Sequence, residues 1–126
     1  MLFQYIFALL PAVATAVYGV PTELVHVERR GGDHHSVVYD GDGCSGDTLD
    51  TQINFGCGGT CHQVSNIQSV LLVQATTGNP KPTADFFASS DCTGSRVLHA
   101  GIFSGEHSGC SDMPSTANSY YLYYNC

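Results

Sequence analysis

Tryptophan is absent from this 126-residue chain and basic residues are scarce, since lysine and arginine together number four against eleven aspartates and glutamates. A formal net charge of −7 excludes the basic surface that binding to nucleic-acid phosphates requires. No uninterrupted apolar run reaches the length of a membrane-spanning helix, and no stretch has a sustained helical period. The sequence therefore predicts a single β-rich domain with no nucleic-acid partner and no membrane span.

Residues 1–16 have the pattern of a secretory signal. A short apolar core ends in Ala14-Thr15-Ala16, the small-x-small pattern that signal peptidase accepts, so we expect cleavage after Ala16. No lysine or arginine precedes this core, and the alternative is a buried helix of the folded domain. The pattern predicts a secreted, extracellular protein.

Residues 17–30 are predicted to be a pro-segment, because they end in the dibasic pair Arg29-Arg30 and two glycines follow. Such a pair before small residues is typical of processing sites in secreted fungal precursors. Cleavage there would leave residues 31–126 as one mature domain, with two cations and nine carboxylates. The alternative is a solvated charge pair in a loop.

All six cysteines lie beyond the dibasic pair. Behind a secretory signal an even cysteine count predicts disulfide bonds, because that compartment is oxidising. A zinc site would have to combine Cys57, Cys61 and His62, but a second close pair is missing, so no metal and no cofactor are predicted. The cysteines expected in disulfides are Cys44, Cys57, Cys61, Cys92, Cys110 and Cys126.

An internal repeat with an offset of about 48 residues extends over the part that carries the cysteines. Residues 38–46 align with residues 86–94, and each run reads apolar, aromatic, four small or polar residues, cysteine, serine or threonine, glycine. The copies, about 36–75 and 84–126, begin and end in β-branched or aromatic runs. We expect an all-β sandwich, since neither unit can bury a face alone.

This repeat resembles the Greek-key motif of the βγ-crystallins, in which an aromatic residue is followed by a second aromatic and a glycine. Cysteine replaces the second aromatic in both copies, and a serine precedes the last strand of each. The residues that carry the resemblance are Tyr39, Cys44, Gly46 and Ser69 in the first copy and Phe87, Cys92, Gly94 and Ser119 in the second. The resemblance implies two Greek-key motifs that form a disulfide-stapled sandwich.

The duplication that the resemblance implies also predicts a disulfide pattern, because equivalent cysteines should pair equivalently. The alternative is pairing between the copies, for example Cys44 with Cys92. The family's calcium-binding run is degraded at residues 65–70 and 116–119, so no calcium is expected. The predicted pairs are Cys44–Cys61, Cys92–Cys110 and Cys57–Cys126.

Four tyrosines near the carboxyl terminus form the candidate binding surface, namely Tyr120, Tyr121, Tyr123 and Tyr124. Alternation along a strand puts Tyr121 and Tyr123 on one face, and Tyr120, Leu122 and Tyr124 on the other. One set should line the core, and the other should present aromatic rings to a sugar or a protein.

Arg96, His99, Glu106 and His107 form the one cluster that resembles acid–base machinery, as in a small secreted ribonuclease. Glu106 and His107 lie in a glycine- and serine-rich stretch where polar residues are usually only solvated, so no catalytic residue is predicted.

Small secreted microbial members of the βγ-crystallin superfamily include killer toxins, antifungal proteins and a metalloproteinase inhibitor, so the fold does not decide the function. We expect a secreted, monomeric, non-enzymatic toxin or effector that acts on an extracellular protein or a cell-wall glycan of another organism. The alternative is an inhibitor of an extracellular hydrolase that presents a loop such as residues 76–82. A ribonuclease-like enzyme is the third hypothesis.

Overall fold

The computed structural model describes residues 33–126, and the predicted cleavage sites at Ala16 and Arg29-Arg30 lie outside them. The described residues form six β-strands and no helix, which confirms the all-β prediction. No helix in this part of the chain could therefore cross a membrane. The strands are β1 (His34–Gly41), β2 (Ser45–Ile53), β3 (His62–Gln74), β4 (Thr83–Phe87), β5 (Arg96–Ala100) and β6 (Ser108–Tyr123).

The strands pair antiparallel in the order β2-β1-β3-β6-β4-β5, and the two long strands each divide into two parts. Residues 69–74 of β3 pair with β1, and most of them also pair with residues 108–112 of β6. Residues 119–123 of β6 pair with β4, while residues 62–63 at the start of β3 pair with Tyr120 and Ser119. The strands of the first half (β2-β1-β3) and those of the second half (β5-β4-β6) are therefore paired in the same order. Each long strand begins beside strands of the other half before it pairs within its own half.

The core is built from the inward positions of these strands, as the period of two in a half-buried strand requires. Phe86 on β4 and Tyr120 on β6 stack with ring centroids 5.2 Å apart, and neither ring is exposed to solvent. Val38, Ile67 and Leu72 fill the space around them. The core therefore draws on both halves of the chain, and neither half buries its apolar face alone.

Two buried serines, Ser69 and Ser119, tie the turn of each half to its last strand in the same way. The Ser69 hydroxyl accepts a hydrogen bond from the Cys44 backbone N–H (2.9 Å) and donates one to the Gly41 carbonyl (2.6 Å). Ser119 does the same with the Cys92 N–H (2.8 Å) and the Ser89 carbonyl (2.6 Å). Both cysteines adopt the left-handed conformation, with φ of 56° and 59°. The aligned residues of the repeat thus have equivalent places in the fold.

Replacing Ser119 by alanine is expected to lower the free energy of unfolding by about 1–2 kcal/mol, because a buried N–H and a carbonyl would lose their partner. Ser69→Ala should cost less, since its hydrogen bond from the Cys44 N–H is only partly buried, whereas the bond from the Cys92 N–H to Ser119 is buried. Ser90, exposed in the same turn as Ser89, provides the control substitution. Urea unfolding measures the three values, and an equal loss for Ser90→Ala would contradict this role of Ser119.

All six cysteines form disulfides, but two of the three predicted pairs are wrong. The bonds are Cys44–Cys110, Cys57–Cys126 and Cys61–Cys92, so the predicted Cys57–Cys126 pair is confirmed while Cys44–Cys61 and Cys92–Cys110 are not. The long strands explain the difference. Cys110 lies opposite Leu71 of β3, which places it beside the first turn, and Cys61 leads into the part of β3 that pairs with Tyr120, beside the second turn. Pairing between the copies therefore occurs, and it does so reciprocally.

Candidate functional site

The outward face of β4, β5 and β6 brings together ionisable and aromatic side chains from three strands. Asp85 on β4 lies opposite His99 on β5 and opposite Tyr121 on β6. Because directly opposed residues in an antiparallel pair share a face, these three side chains lie next to one another across the strands. Arg96 belongs to the same group through its contact with Asp85.

Asp85 is the centre of a small ionic cluster on this face. Its Oδ1 lies 2.5 Å from Nδ1 of His99 and accepts a hydrogen bond from Nη1 of Arg96 at 3.2 Å. The Asp85 side chain is 15% exposed, whereas those of Arg96 and His99 are 53% and 51% exposed. Because exposed ion pairs add little stability, this cluster contributes little to the free energy of folding. Its contacts hold a carboxylate and two nitrogen donors close together at the surface.

Three aromatic side chains lie beside this cluster, and we call Phe87, Tyr121 and Tyr123 the aromatic row. The Phe87 and Tyr121 rings meet edge to face at 6.0 Å, and the Tyr121 and Tyr123 rings are tilted against each other at 6.2 Å. All three are half-buried, which leaves part of each ring open to a ligand. Burial, followed by the nearby charge of Asp85, raises the pKa of Tyr123 above its ordinary value.

The four tyrosines predicted as the binding surface do not lie together, because alternation along the strand divides them between two faces. Tyr121 and Tyr123 belong to the exposed face, whereas Tyr120 is fully buried. Tyr124 packs on His34, with the two rings stacked at 3.6 Å. Tyr120 and Tyr124 therefore support the fold and are not part of the aromatic row. Phe87 and Asp85 were not predicted, because their place beside the tyrosines depends on the pairing of β4 with β6.

The four residues that resemble acid–base machinery, for which no catalytic role was predicted, do not form one cluster in the part of the chain that the structure describes. His99 and Arg96 both contact Asp85, which was not among the four candidate residues. None of the hydrogen bonds or ion pairs among residues 33–126 joins the side chains of Glu106 or His107 to Arg96 or His99. In the same range, no group of three or more histidine, cysteine, aspartate or glutamate side chains could hold a metal ion. Asp85 could have been found from its outward position in the strand pattern, opposite His99 in a β4–β5 hairpin.

A second candidate site is an open cavity of about 330 Å³ between β2 and the start of β3. Its lining residues combine polar, aromatic and glycine positions: Gln52, Phe55, Gly56, Cys57, Gly58, Thr60, His62 and Leu122. Asp50 lies next to the lining residue Gln52. Its Oδ2 accepts hydrogen bonds from the Tyr120 hydroxyl at 2.7 Å and from Nε2 of Gln52 at 3.0 Å. The His62 ring packs against Tyr120, with centroids 4.9 Å apart.

The cavity and the aromatic row meet at Gly58. This glycine lines the cavity, and its α-carbon lies so close to the Tyr123 ring that a side chain at this position would reach Cε1 at 2.5 Å. The backbone N–H of Tyr124 donates to the Gly56 carbonyl at 3.0 Å, which fixes the loop against the end of β6. Gly58 therefore packs directly on the Tyr123 ring.

Comparisons of the chain with protein-family models, with curated proteins and with solved structures gave no match.

Proposed function

We propose that the chain is a secreted, non-enzymatic binding protein whose two halves are interlocked Greek keys of the βγ-crystallin type. The repeated pairing order of the strands and the matching serine bridges of Ser69 and Ser119 support the Greek-key interpretation. Three disulfides in a domain of this size are compatible with an extracellular location. The protein would act outside the cell as a toxin or effector towards another organism.

The partner we infer is a cell-wall glycan of that organism, bound on the outward face of β4, β5 and β6. The observation that carries this proposal is the aromatic row beside the Asp85 cluster. Tyrosine rings offer an apolar face and a polar tip, which suits a sugar ring with its C–H surface and its hydroxyls. Asp85 and His99 add hydrogen-bonding groups at the edge of the same surface, as specific recognition of hydroxyls requires.

The charge of the chain favours a neutral partner over an anionic one. With a net charge of −7, the chain would repel nucleic acid or an acidic polymer at long range, whereas a neutral polysaccharide meets no such barrier. The aromatic row is also fixed by strand pairing, so little conformational entropy would be lost on binding. A rigid, half-exposed aromatic surface thus fits a repetitive glycan chain.

Tyr121→Ala and Tyr123→Ala are each expected to weaken binding to a cell-wall polysaccharide at least tenfold, because each removes a stacking surface. Co-sedimentation with insoluble chitin, β-glucan and mannan measures the affinity. Tyr39→Ala, which removes a half-buried tyrosine on β1, is the matched control and should bind like the unmodified chain. Equal binding by all three variants, or no binding to any glycan, would overturn the proposal, and growth and necrosis assays on target cells test the toxin role.

A second candidate function, inhibition of an extracellular hydrolase, is favoured by the loop between β3 and β4. Nε2 of Gln74 donates to the carbonyls of Thr76 (2.6 Å) and Gly78 (2.8 Å), and Nζ of Lys81 donates to those of Thr77 (2.7 Å) and Glu106 (3.1 Å). An exposed loop held in this way resembles the rigid segments that block enzyme clefts at small entropic cost. Assays against secreted proteases and glycosidases test it, and the absence of inhibition removes this candidate.

A further inference from the structure

We propose that Phe103, in the loop between β5 and β6, is the residue by which the chain blocks a protease whose specificity pocket accepts an aromatic ring. This inference rests on the second candidate function, inhibition of an extracellular hydrolase, and it names the class of enzyme and the side chain that enters its cleft. The glycan proposal concerns the outward face of β4, β5 and β6 and does not depend on it.

The Phe103 side chain is the most exposed large apolar side chain in the part of the chain that the structure describes. It is 83% exposed, and Ile53, the other exposed large apolar side chain of these residues, is 69% exposed. Ile102, directly before Phe103, is buried and belongs to the core. The loop therefore buries one apolar side chain and presents the next one to solvent. Exposed aromatic rings of this kind are the side chains that most often fill a pocket on a partner.

The backbone that carries Phe103 is fixed on both sides. Ile102 attaches it to the core, and residues 103–106 form a β-turn in which the Glu106 N–H donates to the Phe103 carbonyl at 3.0 Å. Gly105 occupies the third position of this turn with a φ of 86°, as a type II turn requires. A loop that is already ordered loses little conformational entropy when it binds.

The loop that carries Phe103 and the loop of residues 75–82 form one surface, because Lys81 joins them. Nζ of Lys81 donates to the carbonyl of Thr77 at 2.7 Å in the loop between β3 and β4. It also donates to the carbonyl of Glu106 at 3.1 Å in the loop between β5 and β6. Phe103 therefore lies beside the loop that favours hydrolase inhibition.

This end of the domain carries no net formal charge. Residues 75–82 and 101–107 contain one lysine and one glutamate, whose charges cancel, and one histidine. The turn between β1 and β2, at the other end of β1, is instead rich in carboxylates, namely Asp40, Asp42 and Asp47. A partner at the Phe103 end therefore needs an uncharged apolar pocket and no basic surface.

The surroundings of Phe103 favour a deep pocket over a flat apolar interface. Within residues 75–82 and 101–107 no other large apolar side chain is exposed. Stable protein interfaces bury about 800 Å² on each partner, which is more than one ring supplies, so the affinity would have to come from insertion of the ring into a pocket. Proteases of the chymotrypsin type have such a pocket, a hydrophobic slot for one side chain. This class of enzyme is therefore the partner that Phe103 fits.

The β-turn also explains why such a protease would be blocked instead of cutting the loop. A protease of this type cleaves after the residue in its pocket, and its oxyanion-hole donors must reach the carbonyl oxygen of that residue. In the loop, the Phe103 carbonyl oxygen already accepts the hydrogen bond from the Glu106 N–H. The bond between Phe103 and Ser104 would therefore be cleaved slowly while the turn is intact.

The experiment measures the inhibition constants of the full chain against chymotrypsin, trypsin and elastase, whose pockets accept an aromatic, a basic and a small side chain. Phe103→Ala removes the ring, and Ile53→Ala, which removes the other exposed large apolar side chain, is the matched control. Phe103→Lys supplies the side chain that a trypsin pocket binds. Thr77→Trp places a bulky ring on the exposed loop between β3 and β4.

We expect the unmodified chain and Ile53→Ala to inhibit chymotrypsin and neither of the other enzymes. Phe103→Ala should bind chymotrypsin about thirtyfold more weakly, the loss that removal of a central aromatic residue causes in protein interfaces. Phe103→Lys should inhibit trypsin instead. Mass spectrometry should show the bond between Phe103 and Ser104 intact after incubation with chymotrypsin.

Each of the opposite results overturns the inference. If Thr77→Trp abolishes inhibition of chymotrypsin while Phe103→Ala keeps it, or if only trypsin or elastase is inhibited, the inference is wrong and the second candidate function stands. Rapid cleavage after Phe103 would show that the loop is a substrate. If none of the three proteases is inhibited, this inference fails, whereas inhibition of a glycosidase would still support the second candidate function.

Discussion

Replacing Cys44 and Cys110 together by serine is expected to lower the free energy of unfolding by about 4 kcal/mol. The bond closes a loop with a sequence separation of 66 residues, and in the chain-entropy model a loop of this length restricts the unfolded chain to about that extent. Small domains have about 5–15 kcal/mol of stability in total, so this one bond would account for a large part of it. Guanidinium unfolding of the double variant measures the loss.

The control for this prediction follows from the corrected pairing. Cys44→Ser with Cys110→Ser removes one bond and leaves no free thiol. Cys44→Ser with Cys61→Ser, the pair expected from the sequence, breaks two bonds and leaves Cys92 and Cys110 reduced. Thiol titration of the unfolded chains distinguishes them. Two free thiols in the Cys44/Cys110 variant, or a smaller loss of stability than in a single-residue surface variant, would contradict the pairing described here.

Replacing Tyr120 by phenylalanine is expected to destabilise the domain by about 2 kcal/mol at neutral pH. The ring would still pack on Phe86, but Asp50 would lose the hydroxyl donor at 2.7 Å, and hydrogen bonds to charged groups contribute more than those between neutral groups. Tyr121→Phe is the control, since its ring lies on the half-exposed face. That variant should stay within about 0.5 kcal/mol of the unmodified chain.

The same substitution should change the response of stability to alkaline pH. Burial, followed by the hydrogen bond and the charge of Asp50, raises the pKa of Tyr120 far above its ordinary value. Above about pH 10 the unfolded chain would lose the Tyr120 proton while the folded chain keeps it, so the unmodified protein loses up to about 1.4 kcal/mol per pH unit from this group. Tyr120→Phe lacks this loss.

The difference in stability between the two proteins should therefore be constant below pH 9 and shrink above about pH 10. Urea unfolding between pH 7 and pH 11 measures it. A difference that stays the same over the whole range would show that the Tyr120 hydroxyl ionises in the folded chain as readily as in the unfolded one, which would contradict its buried hydrogen bond to Asp50.

Features that depend on local alternation and on the repeat could be predicted from the sequence. The separation of Tyr121 and Tyr123 from Tyr120 follows from the period of two in a strand, which holds wherever one face is buried. The equivalent roles of Ser69 and Ser119 follow from their matching places in the two copies. The all-β class follows from β-branched and aromatic runs without a helical period.

Only the tertiary structure decided which distant residues meet. Each long strand begins beside the other half before it pairs within its own, so Cys110 lies beside Cys44 and Cys61 beside Cys92. Nothing in the spacing of the cysteines indicates that exchange. The hydrogen bond between Asp50 and Tyr120 joins residues 70 positions apart, and the Asp85 cluster combines side chains of β4 and β5. Side-chain periodicity says which face a residue occupies, whereas its neighbours on that face depend on strand order and register, which the whole core selects together.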